Sequence, residues 1–143
     1  MAGRPITLRW TGTQRVNKGY KGSTKKALDG VEKATKHQIK AVFKASQFLC
    51  PVDTTSLKQS GRVTTYRYKR AVSSWIRYGG LTPGPYGFVE YAVYVHEDLT
   101  KKHKPPTQAK FVEKPLIALV PQFKGTLKFY VSGELQKTFK GKA

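Results

Sequence analysis

Acidic residues are scarce in this chain of 143 residues: 8 Asp and Glu stand against 27 Lys and Arg, a formal charge of +19 at neutral pH. Self-repulsion of that size calls for an acidic partner or a crowded assembly to offset it. With so few carboxylates, a carboxylate-rich metal cage or a glycosidase-type acid pair would use a large share of the supply. Cysteine is scarcer still. Cys50 stands alone, which excludes an internal disulfide and the paired-cysteine zinc signatures and leaves His37, His96 and His103 as soft ligands. Apolar runs are short and flanked by Lys or Arg, so none approaches the ~20 residues of a membrane span, and the first ten residues hold no run fit for a signal peptide. A reducing cytoplasmic setting with no membrane partner is the expectation. Also missing are a Gly-rich phosphate loop ending in Lys-Ser/Thr, a Gly-x-Ser-x-Gly elbow and paired histidines at metal-ligand spacing on a helix.

What remains is one domain's worth of chain with a 12% aromatic share, enough for a single core. Residues 1–22 read as an N-terminal arm in which Ile6–Trp10 can form an edge strand. Residues 23–143 read as a single α+β domain whose last residues, from about 137, form a flexible tail. Leu28, Val31, Thr35, Gln38/Ile39, Val42, Ala45 and Leu49 recur every three or four residues, which predicts one long helix from about Thr24 to Leu49. Ser23 or Thr24 can cap it, Pro51 ends it, and Lys25, Lys33, Lys36, Lys40 and Lys44 cover its solvent side. Asp53 or Thr54 can cap a short helical turn that Gly61 ends.

Arg62–Tyr68 and Ala71–Tyr78 are rich in β-branched and aromatic residues, and the Lys69-Arg70 break between them has hairpin length. Gly79–Gly87 reads as a Gly/Pro loop and Phe88–His96 as a third strand, with Tyr91, Val93 and Val95 on one face and Ala92, Tyr94 and His96 on the other. Lys101–Pro106 is a basic loop that its two prolines hold extended. Thr107 can cap a helix that starts near Gln108 and carries Phe111, Val112, Leu116 and Leu119, with Pro115 as a possible kink. A last helix begins with Pro121 in its first turn. The fold class expected is α+β: a small antiparallel sheet covered by a long N-terminal helix, with further helical segments at the C-terminus.

Two segments together resemble a known family. Pro51-Val52-Asp53-Thr54-Thr55-Ser56-Leu57-Lys58-Gln59-Ser60 is similar to the Pro-Val-Asp-Thr-Gly-x-Leu-x-x-Ser element that follows the first helix in tailed-bacteriophage minor capsid proteins of the head-tail joining, or tail-completion, type. Tyr91-Ala92-Val93-Tyr94-Val95-His96-Glu97, then Gln108-Ala109-Lys110-Phe111-Val112-Glu113-Lys114-Pro115-Leu116, resembles that family's second block. Thr55 stands where the family has glycine, and Pro105-Pro106-Thr107 where it often has a glycine before the Gln-Ala-Lys run. The resemblance covers roughly residues 20–120. It implies a structural virion protein without catalysis or cofactor, placed in the neck at the head-tail interface after assembly in the host cytoplasm. It also implies a ring of roughly six or twelve copies with heterologous contacts. Partners so implied are a portal, adaptor or head-closure protein on one side, a tail terminator or tail-tube protein on the other, and packaged DNA in the channel.

The matched residues have physical roles in that reading: Asp53 and Thr54 as caps, Leu57 turned inward, and Phe111, Leu116 and Leu119 pinning the late helix to the sheet. Arg67, Lys69, Arg70, Lys101, Lys102 and Lys104 are the candidate contacts to DNA or to an acidic protein. The competing readings are a basic nucleic-acid-binding module, favoured by the charge and by Tyr66–Arg70, and a minor capsid protein elsewhere in the shell. A small metal enzyme using His96, Glu97 and His103 is weighed against the plainer view that these are polar residues where the chain turns.

Overall fold

A computed structural model describes residues 6–12, 23–52, 55–82 and 87–140. The chain runs β1 (Ile6–Gly12), α1 (Ser23–Leu49), α2 (Ser56–Gln59), β2 (Arg62–Arg67), β3 (Val72–Tyr78), β4 (Gly80–Leu81), β5 (Phe88–Val89), α3 (Ala92–Glu97) and α4 (Glu113–Lys140). The class is α+β, as expected. β3 is the centre of a three-stranded antiparallel sheet in the order β1-β3-β2, and β4 and β5 form a separate two-stranded pair. β1 therefore is an edge strand, paired from Ile6↔Tyr78 to Gly12↔Val72. The hairpin β2–β3 closes over Lys69-Arg70, with Arg67 opposite Val72 and the Tyr68 N–H donating to the Ala71 carbonyl at 2.8 Å.

The period of α1 decides the packing. Leu28, Val31, Thr35, Gln38, Ile39 and Val42 are buried, while Lys25, Lys33, Lys36, Lys40 and Lys44 are exposed. Ile39 and Val42 join Leu57, Ile76, Tyr78, Val89, Val95, Phe111 and Val112 in the main core, and Leu28 and Val31 meet Val72 beside Leu127 and Val131 of α4. Ser46, wholly buried on α1, hydrogen-bonds the Tyr78 hydroxyl at 2.7 Å, so the one polar group of that ring is satisfied inside the core. α4 runs antiparallel to α1: Gly30 lies against Val131, while Gln38 donates to the Leu119 carbonyl at 2.6 Å.

Three expectations about elements are corrected. Phe88–His96 is not a strand. Only Phe88–Val89 pairs, with Gly80–Leu81 of the segment read as pure loop, and residues 92–97 are helical. The residues are apolar at nearly every position, so period 2 and period 3.6 both fit; burial of Ala92, Val95 and His96 at spacings of three and four is the helical solution. Next, no helix starts at Gln108. Lys110 has φ 56°, a left-handed conformation that a helix cannot continue through, and α4 begins at Glu113 with Pro115 in its first turn. Finally, Pro121 opens no new helix but lies inside α4, which continues through Gly125 and Gly133 to Lys140, past the expected tail boundary. Ile117 and Pro121 are both exposed, so solvent can replace the donor that proline lacks.

Candidate functional site

The two motif blocks meet in space. In the first, Pro51 and Leu57 are buried and Val52 is exposed; Asp53 and Thr54, the expected caps, lie outside the described residues. The residue at the N-cap of α2 is Thr55, at φ 58° and with no side-chain capping bond. Its carbonyl accepts the Gln59 N–H at 2.9 Å. This left-handed position is the one where the resembled family carries glycine, the residue that adopts it without steric cost. Ser60 locks the block to the sheet: its hydroxyl donates to the Leu57 carbonyl at 2.6 Å and accepts the Gly79 N–H at 2.8 Å.

The second block folds around His96. Ala92 and His96 face inward on α3, while Tyr91 and Tyr94 are exposed. This corrects the strand-based assignment that placed Ala92, Tyr94 and His96 together. The His96 ring meets Phe111 edge-on at 5.1 Å, and Phe111 meets Tyr78 in the same way at 5.1 Å. The His96 carbonyl accepts the Lys110 N–H at 2.8 Å, and the Gln108 N–H donates to the Leu49 carbonyl at 3.0 Å. Glu97 pairs with His96 Nδ1 at 2.7 Å and with Lys110 Nζ, which also reaches Glu113 at 3.0 Å. The Lys110 ammonium, and then His96, hold the Glu97 carboxyl below the usual carboxylate range. Ala109, Phe111 and Pro115 are buried and Leu116 is half-buried against the core. The motif residues thus tie the end of α1, α3 and the start of α4 into one junction.

That junction joins three elements of the fold. Cys50 is buried and its thiol is pushed up to about 12 by burial, which removes the thiolate needed of a nucleophile. Among the described residues no three His, Cys, Asp or Glu side chains come together to hold a metal ion, so His96, Glu97 and His103 do not assemble as a ligand set.

The basic candidates separate into two kinds. Arg67 faces α1 and is engaged there, with Nη1 2.6 Å from Asp29 and 2.7 Å from Glu32. It is therefore engaged by two carboxylates of α1, while its side chain stays partly exposed. Lys69 and Arg70 stand exposed at the hairpin turn, and Lys101, Lys102 and Lys104 are exposed in the late loop. That loop is not extended: the Thr107 N–H donates to the Lys104 carbonyl at 2.9 Å, closing a turn that includes Pro105 and Pro106.

Sequence reasoning missed a set of exposed apolar side chains. Tyr94 is 65% and Leu99 71% exposed beside α3, and Ile117 is 64% and Phe129 73% exposed on α4. The sequence held no clear signal for Tyr91 and Tyr94, because a run apolar at nearly every position does not show which side chains a helix turns outward. Comparison with protein-family models, with curated proteins and with solved structures finds no match for this chain.

Proposed function

We propose that this chain is a structural subunit of a tailed-phage neck, assembling as a ring between the portal and the tail. Its action is binding and assembly. The observation that carries the reading is the exposure of neighbouring apolar side chains on two different elements: Tyr91, Val93, Tyr94 and Leu99 around α3, and Ile117 with Val120, one turn apart on α4. Large apolar side chains so exposed mark interaction surfaces. Two unlike surfaces on one subunit suit heterologous contacts, in which each surface meets the other on the next copy until the rotation closes. The left-handed backbone at Thr55, at the position of the family's glycine, adds support from the first motif block.

Sedimentation of the purified chain tests the reading, alone and with a portal or tail-tube ring. The expected result is a ring, or incorporation into one, that Tyr94→Ser with Leu99→Ser abolishes while the subunit still melts cooperatively. A monomer that joins neither ring contradicts it.

A further inference from the structure

The β2–β3 hairpin presents a second surface, unrelated to the apolar ones. Its two faces differ. Val63, Thr65 and Arg67 point toward α1, where Val63 packs on the core and Arg67 pairs with Asp29 and Glu32. Alternation puts Arg62, Thr64, Tyr66 and Tyr68 on the opposite face, with Trp75 and Arg77 of β3 at matching register: Arg62↔Arg77 and Thr64↔Trp75. Tyr66 is 51% and Tyr68 53% exposed, and Arg62 and Arg77 are exposed as well.

The electrostatics of this face are one-sided. From Thr54 to Val89 the chain contains no Asp or Glu, while this face and its turn carry Arg62, Arg77, Lys69 and Arg70. Arg62 and Arg77 are direct cross-strand partners of like charge, an arrangement that costs stability unless an anion lies between or above them. Arg62 donates to the Leu81 carbonyl, which fixes its guanidinium without neutralising it. Arg77 has no ion pair among the described residues. The stripe therefore runs from two arginines, past Trp75, Tyr66 and Tyr68, to Lys69 and Arg70 at the turn, over about 24 Å at ordinary strand rise.

Basic ends flanking accessible aromatic rings are what a single nucleic-acid strand requires, since its phosphates need cations and its unpaired bases need flat faces to stack on. A duplex hides its base faces and would use only the cations. We infer that the outer face of the β2–β3 hairpin binds single-stranded DNA, with Tyr66 and Tyr68 as stacking platforms and Arg62, Arg77, Lys69 and Arg70 on the phosphates. This inference does not depend on the neck reading, because it concerns a different face.

The test is an anisotropy titration of a labelled oligothymidine of about twelve nucleotides against the full chain, beside a duplex of matched phosphate number, over a range of salt. Tyr66→Ser with Tyr68→Ser should weaken strand binding at least tenfold and leave the salt slope unchanged. Tyr66→Phe with Tyr68→Phe should restore binding. Lys69→Gln with Arg70→Gln, altered only at the exposed turn, should flatten the slope by about 1.4, two phosphate contacts' worth. Replacing Lys101, Lys102 and Lys104 with Ser removes more charge from elsewhere and should cost the strand less than either hairpin variant. Equal affinity for strand and duplex, or a serine pair that binds like the parent, overturns the inference. Should the serine pair melt, an unchanged salt slope in the turn variant overturns it instead.

Discussion

Thr55 holds φ at 58° although its branched side chain opposes the left-handed region, which costs a non-glycine residue about 1–2 kcal/mol. Nothing in its side chain compensates, since it makes no capping bond. Thr55→Gly should therefore stabilise the fold by about 0.5–1 kcal/mol, the relief of strain less the added freedom of the unfolded chain. Chemical denaturation measures this, and a loss of stability would mean that Thr55 is held by contacts its backbone does not reveal. Glu134 makes a second prediction at this scale. Its carboxylate pairs with Lys137 at 2.8 Å and Lys33 at 2.5 Å, and the two ammonium groups, Lys137 first, hold its pKa down at about 2. A carboxylate with a lowered folded pKa contributes stability above its unfolded value, and that contribution disappears as pH falls toward about 2. Glu134→Gln should lower the melting temperature at neutral pH and flatten its decline between about pH 4.5 and pH 2. Parallel melting curves for parent and variant across that window would contradict it.

At the scale of elements, the contact between α1 and α4 turns on one glycine. A Cβ at Gly30 would lie 2.5 Å from the Val131 Cα and 2.8 Å from the Tyr130 carbonyl oxygen, both backbone atoms that cannot rotate away. Gly30→Ala should cost about 3 kcal/mol, the upper part of the usual overpacking range, and Val131→Ala should not rescue it because the clash is with main chain. A near-neutral melt for Gly30→Ala would show that the helices slide apart freely. α1 and the β2–β3 hairpin were legible in the sequence because each has an unambiguous period and a clear stop, Pro51 for the helix and the Lys69-Arg70 turn for the hairpin. Phe88–His96 was not, since a run apolar at nearly every position carries no period to distinguish strand from helix. Nor was the start of α4, which the left-handed Lys110 delays to Glu113, or its continuity through Pro121. Of the candidate residues, Leu57 and Phe111, buried, and Leu116, packed against the core, were readable from the motifs. Arg67 was not, because its partners Asp29 and Glu32 lie far off in sequence on α1 and only the folded hairpin brings them together.

For the molecule as a whole, Asp29, Glu32, Glu97, Glu113 and Glu134 pair internally with Lys33, Lys36, Arg67, Lys110 and Lys137, and the net charge of +19 lies beyond those pairs. The exposed Lys101 and Lys102 precede, and Lys104 opens, the turn closed between Lys104 and Thr107. Replacing all three with Ser should leave the thermal melt unchanged, lower the yield of particles with tails attached and make joining less sensitive to salt. Normal joining with the parent's salt response would reduce this loop to a solvated basic surface. The proposed neck location is tested most directly by a low-resolution map of particles that carry this chain with a bulky tag. The account predicts a closed ring of extra density between the portal vertex and the tail. Tag density spread over the shell, or none in the particle, would contradict it.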